Sequence, residues 1–145
     1  LNTDISVAPE IARLAAPLVP AQHDTAAPHT VGRVASDLAF LAAAPQRWWD
    51  LVRFDPDGPV RIKVPGEPGT WLLVLPPGSV TDCDCGQATL LAGDAAEVSA
   101  EAGPDRPLRS GRVQVRGTRG RHQLRAAGLG YSVSLHWQDS RARSL

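Results

Sequence analysis

No stretch of the 145 residues approaches the ~20 uncharged apolar residues that a bilayer span requires, so the chain is expected to be neither embedded in a membrane nor anchored to one. A basic, apolar leader is also missing from the opening Leu1-Asn2-Thr3-Asp4, which makes the cytoplasm the expected compartment. Charge of one sign is not in excess: 15 Lys and Arg offset 15 Asp and Glu, which excludes a strong global field for steering to nucleic acid or a membrane surface. Cysteine is scarce. The two present, Cys83 and Cys85, sit two residues apart. On an extended strand their Cβ atoms would lie far above the ~3.8 Å of a disulfide, so a disulfide scaffold is not expected. Two neighbouring thiols in a cytosolic protein read instead as a metal or redox pair. Phosphate loops, a Ser-centred elbow, paired catalytic carboxylates and a zinc-hydrolase helix are all absent.

The part that is present begins with an Ala- and Pro-rich segment, residues 1–30, in which Ile11, Leu14, Leu18 and Val19 form a short helical stripe cut by Pro17 and Pro20. Val31 to Ala44 is the stronger helix, with Val34, Leu38 and Leu41 on one face and Pro45 as its stop. Beyond Asp55-Pro56-Asp57-Gly58 the chain turns into short apolar runs punctuated by Gly and Pro. Strands are expected at Val60–Val64, Thr70–Leu75, Val80–Cys85, Ala88–Leu91, Ala95–Ala100, Arg112–Val115, His122–Arg125 and Gly130–Trp137. Helical crossovers of ~10–15 residues are missing between them, which disfavours a parallel α/β sheet. The expected fold is therefore mainly β: a small jelly-roll barrel, residues 31–138, with the N-terminal helices packed on its flank and a basic tail over 139–145. Seven arginines between Arg106 and Arg125 have no aromatic residues among them to stack bases, so they read as a solvated face or an anion-facing rim, with no nucleic-acid partner expected.

Several segments resemble one family. Trp48 to Asp55 (WWDLVRFD), Trp71 to Gly78 (WLLVLPPG), Thr81 to Gly86 (TDCDCG), Gly93 with Glu97, Gly120-Arg121-His122 and Ser134-Leu135-His136 are similar, in order, to landmarks of the bacterial cysteine dioxygenases and related thiol dioxygenases of the cupin superfamily. The resemblance spans residues 31–138 and implies a metal-binding cupin. In that family a His-Asp-His-Gly motif and a later histidine bind ferrous iron. Those positions fall here on Cys83, Cys85 and His122. The family's substrate-gripping arginine corresponds to Arg61. Its Ser-x-His-x-Tyr set corresponds to Ser134 and His136, with Gln138 in place of the tyrosine. The Gly/Ser-rich stretch that usually follows the metal motif is shortened, since Gly86 leads straight to Gln87-Ala88-Thr89.

Taken on their chemistry alone, Cys83 and Cys85 at i and i+2 would face one side of a strand while Asp82 and Asp84 face the other. Two thiolates and an imidazole make a soft donor set that suits zinc or copper better than iron(II). The competing reading is two small buried apolar side chains. Along Tyr131 to Trp137 the alternation places Ser132, Ser134 and His136 on a polar face, where Ser134 would orient His136 toward a ligand. Gln138 can supply a hydrogen bond but no phenolic proton. Arg61 is suited to clamping a carboxylate, and equally to plain exposure beside Lys63. Three functions are thus in view: a cupin holding zinc or copper without thiol oxidation, an iron(II) dioxygenase acting on a small thiol carboxylic acid such as cysteine, and a metal-free scaffold whose Trp48/Trp49 face binds a partner, a second copy in a homodimer among the candidates.

Overall fold

The computed structural model describes residues 30–99, 103–116 and 122–139. The expected helical stripe at Ile11 to Val19, the arginines at 119 and 121 and the tail over 140–145 lie outside them. Helix α1 runs Val31–Ala42, and two 3-10 turns, Pro45–Arg47 and Trp49–Leu51, carry the chain to the sheets. The strands are β1 Val60–Lys63, β2 Thr70–Leu75, β3 Val80–Cys83, β4 Gln87–Ala92, β5 Ala95–Val98, β6 Arg106–Pro107, β7 Gln114–Val115, β8 His122–Ala126 and β9 Ser132–Trp137.

They form two antiparallel sheets, β1-β2-β9-β4-β7 and β3-β8-β5-β6, as expected for a mainly β jelly roll. Strand β9 is central to the larger sheet: Leu135 is in register with Leu72 of β2 on one side and with Thr89 of β4 on the other. Strand β2 is apolar without alternation because both of its faces are covered. Leu72 and Val74 join Val133 and Leu135 under Val34, Leu38 and Leu41 of α1. Leu73 and Leu75 face the other way and meet Leu124, Ala126, Leu108 and both cysteines between the sheets. Each leucine buried in this way contributes about 1.5–3 kcal/mol.

Helix α1 ends two residues earlier than expected, because Pro45 excludes helical geometry from the residue before it. Trp48 is 4% exposed and donates its indole N–H to the Leu41 carbonyl at 3.0 Å. Only Trp49, 52% exposed, is left of the expected Trp48/Trp49 surface. Strand β6 was not expected from the sequence. It is two residues long, contains Pro107, and pairs with Ala96 and Glu97 at a sheet edge, where a missing N–H is tolerated.

Two turns need glycine. Gly78, at φ 76°, follows Pro76-Pro77 in a turn closed by Ser79 N–H on the Pro76 carbonyl at 3.1 Å. Gly93, at φ 77°, passes the chain from one sheet to the other, and a Cβ there would run into the Tyr131 carbonyl. Gly93→Ala is accordingly expected to cost at least about 2 kcal/mol, combining left-handed strain with the clash, read as a lower urea midpoint at unchanged slope.

Candidate metal centre

The backbone brings the two cysteines to the barrel interior by ending a strand between them. Cys83 closes β3, in register with His122 of β8. Past it, Gly86 N–H donates to the Trp137 carbonyl at 2.9 Å, and the Gly86 carbonyl accepts from Arg116 N–H at 2.7 Å, so the chain has already crossed to the larger sheet. Cys85 lies in that crossing. The alternation expected from sequence holds, with Asp82 and Asp84 exposed and both cysteines buried. The expected straight strand does not. Released from the ladder after Cys83, the chain swings the second thiol round until the two Sγ atoms are 2.7 Å apart. Both cysteines are free.

His136 arrives from the opposite sheet. Its strand presents Val133 and Leu135 to the helix layer and Ser134 and His136 to the interior, the division that the sequence alternation implies. The His136 Nδ1 is 3.2 Å from Cys85 Sγ and 3.7 Å from Cys83 Sγ. Its Nε2 meets Ser134 Oγ at 2.7 Å. With Nε2–H donating to the serine, the Nδ1 lone pair faces the thiols, an arrangement that sets tautomer and ring orientation for metal ligation. The ring also stacks on Trp71, with centroids 4.5 Å apart, and the Arg61 guanidinium lies over the same indole at 4.6 Å.

Cys83, Cys85 and His136 place their ligand atoms within 4.8 Å of one another, and all three residues are buried. The expected third ligand was His122, and here the structure differs: the imidazole inside this cluster is His136. His122 shares the interior face with Cys83, but its Nδ1 is 2.8 Å from Glu97 Oε2. Its Nε2 is buried with no hydrogen-bond partner among the described residues.

The sequence reading also missed Arg116. Taken there as part of a solvated or rim-lining arginine run, its side chain is in fact 3% exposed, with Nε 3.3 Å from Glu97 Oε2 and Nη1 donating to Cys85 Sγ at 3.0 Å. Nothing in the local pattern marks it, since its burial comes from β7 pairing at the sheet end.

The thiol pair titrates as a unit. Cys83 is drawn below the usual thiol range, first by its hydrogen bond with Cys85 and further by His136, against the effect of burial. Cys85 is pushed up by the same bond, by burial and by the charge on Cys83, with Arg116 pulling the other way. One proton therefore leaves the pair easily and the second is held. Burial keeps His136 below the ordinary imidazole range. A folded value under the unfolded ~6.5 means that the unfolded chain binds more protons as pH falls, so this group's stabilisation is present above pH ~6.5 and is lost below it. The melting temperature is expected to drop between pH 7 and 5, and His136→Gln to flatten that slope.

Outside the cluster, a cavity of about 520 Å³ opens against Cys83, walled by Arg61, Lys63, Trp71, Asp84 and Gln138. Arg61 is exposed and donates Nη2 to the Asp82 carbonyl. Gln138 anchors its backbone N–H on the Gly69 carbonyl at 3.0 Å. Arg61 and Gln138 thus stand at the cavity wall, and Ser134 and His136 behind it.

No family model matches the chain, and no curated protein does. Solved structures do. The protein TT1209 from Thermus thermophilus superposes with a TM-score of 0.50 at 16% identity, over 62% of this chain and 92% of that one. A cupin superfamily protein from Desulfitobacterium hafniense DCB-2 gives 0.48 at 11% identity, over 64% and 89%. A cupin domain from Bordetella pertussis Tohama I gives 0.45 at 13% identity, over 59% and 97%. At these identities the likeness is one of fold.

Proposed function

We propose that this cupin-fold chain is a metal-binding protein that holds zinc or copper through Cys83, Cys85 and His136, with His122 as a further donor. The observation that carries the reading is a buried set of two thiols and an imidazole whose other ring nitrogen is already tied to Ser134. Tetrahedral zinc sites space sulfur and nitrogen ligands by about 3.6 Å and two sulfurs by about 3.8 Å. The His136–thiol separations of 3.2 and 3.7 Å suit this spacing, while the sulfurs at 2.7 Å would part on binding.

His122 adds a second argument. A carboxylate on one ring nitrogen and a buried, unpartnered second nitrogen is the arrangement that prepares a histidine for a metal. When bound, a divalent ion neutralises two thiolates, and Arg116 and Glu97 balance each other beside it. Thiolate donors favour zinc or copper over iron(II).

A second reading, an iron(II) dioxygenase for a small thiol carboxylic acid, is supported by the cavity against Cys83, where Arg61 and Lys63 supply positive charge for a carboxylate. Metal content of anaerobically purified, untagged protein separates the two. Stoichiometric zinc or copper supports the first reading. Stoichiometric iron, with oxygen uptake on adding small thiols, supports the second, and a folded chain free of metal defeats both.

A further inference from the structure

The Sγ atoms of Cys83 and Cys85 are in direct contact, with no residue between them. No other thiol is present to compete as a partner within the chain. The two cysteines are also placed unequally. Cys83, though 2% exposed, borders the open cavity, and Cys85 does not. Cys85 lies behind, with the Arg116 guanidinium donating to its sulfur at 3.0 Å.

We propose that Cys83 and Cys85 are a two-electron redox pair that a peroxide converts to an intramolecular disulfide, and that this conversion and metal binding exclude each other. Cys83 sulfur attacks one peroxide oxygen; the O–O bond breaks, an S–O bond forms, and the other oxygen leaves as an alcohol or water carrying the thiol proton. Cys85 sulfur then attacks Cys83 sulfur across the existing contact. The S–S bond forms, the S–O bond breaks, and the hydroxyl departs as water with the Cys85 proton. Two thiols lose two electrons and two protons, and the peroxide takes up both. Arg116 fixes the position of the Cys85 sulfur through its 3.0 Å hydrogen bond. A disulfide cannot offer two thiolates, so the oxidised chain loses half of its donor set. The exclusion of metal rests on the metal-binding reading above; the cross-link does not.

The test treats the full chain, metal-free and zinc-loaded, with hydrogen peroxide, followed by intact mass, peptide mapping and zinc content. In the metal-free chain a loss of about 2 Da is expected, mapping to a Cys83–Cys85 link that dithiothreitol reverses. Zinc uptake should then fall to background and return on reduction. Cys85→Ser should replace the 2 Da loss with gains of about 16 or 32 Da on Cys83, because no second thiol captures the first product. Mass gains on Cys83 in the wild type without a link, links only between chains, or full zinc uptake by the linked form would each overturn the proposal. A reduced chain that takes up no zinc yet still forms the reversible link would defeat the metal reading and leave the redox pair standing.

Discussion

Replacing Cys83 and Cys85 together by serine is expected to lower zinc affinity by on the order of 10³-fold or more while leaving the chain folded. Loss of a single outer hydrogen-bond partner of a metal ligand already costs about 10–100-fold, and this change removes two ligands outright. Serine is nearly isosteric with cysteine, but its hydroxyl stays protonated where a coordinated thiol does not. The fold should survive because the new hydroxyls keep partners: Arg116 Nη1 stands 3.0 Å from the Cys85 sulfur and His136 Nδ1 lies within 3.7 Å of both. A cost of about 1–2 kcal/mol per site for placing hydroxyls beside Leu73, Leu75 and Leu124 is the outer expectation. Metal per chain and thermal melts with and without zinc check both halves. Wild-type protein should melt higher in zinc, by mass action on the folded state, and the double variant should not. Unchanged occupancy in the variant would remove the ligand assignment.

The second large effect concerns Arg116. Arg116→Met is expected to destabilise the chain by about 3 kcal/mol, because it leaves Glu97, only 13% exposed, as a carboxylate without its guanidinium. The figure describes breaking a pair, not the pair's net worth. Removing both charges should therefore recover most of the loss, and Arg116→Met with Glu97→Gln is expected to lie within about 1 kcal/mol of wild type. Urea unfolding of the two single variants and the double variant measures the coupling directly. Losses that simply add would mean that Arg116 and Glu97 act independently. The same variants bear on the metal, since His122 keeps its orientation through Glu97 Oε2 at 2.8 Å.

Much of the architecture was legible in residue order because it rests on local periodicity. The three-and-four spacing of Val34, Leu38 and Leu41 puts the helix where it is found, and those residues form its buried face. The unbroken apolar run Thr70 to Leu75 is a strand covered on both sides. Where the expectation missed, a non-local partner decided the outcome. Arg106–Pro107 is a strand only because Ala96 and Glu97 offer an edge to pair with. Val80 to Cys85 reads as one strand, yet its last two residues are drawn away to join the larger sheet through Gly86.

The candidate centre divides in the same way. Residue order alone determined that Cys83 and Cys85 share one side while Asp82 and Asp84 face away, and that Ser134 and His136 lie on the polar face of their strand, because successive side chains alternate along an extended backbone. Which imidazole meets the thiols was decided only when the two sheets closed on each other. His122 sits across the β-ladder from Cys83 but is turned to Glu97, while His136 comes from the facing sheet, 51 residues from Cys85 in sequence. Arg116 entered the site by the same closure, whereas Trp71 is the cross-strand neighbour of His136 within the larger sheet. Contacts made across an interior depend on how layers stack, and no short-range pattern along the chain records that.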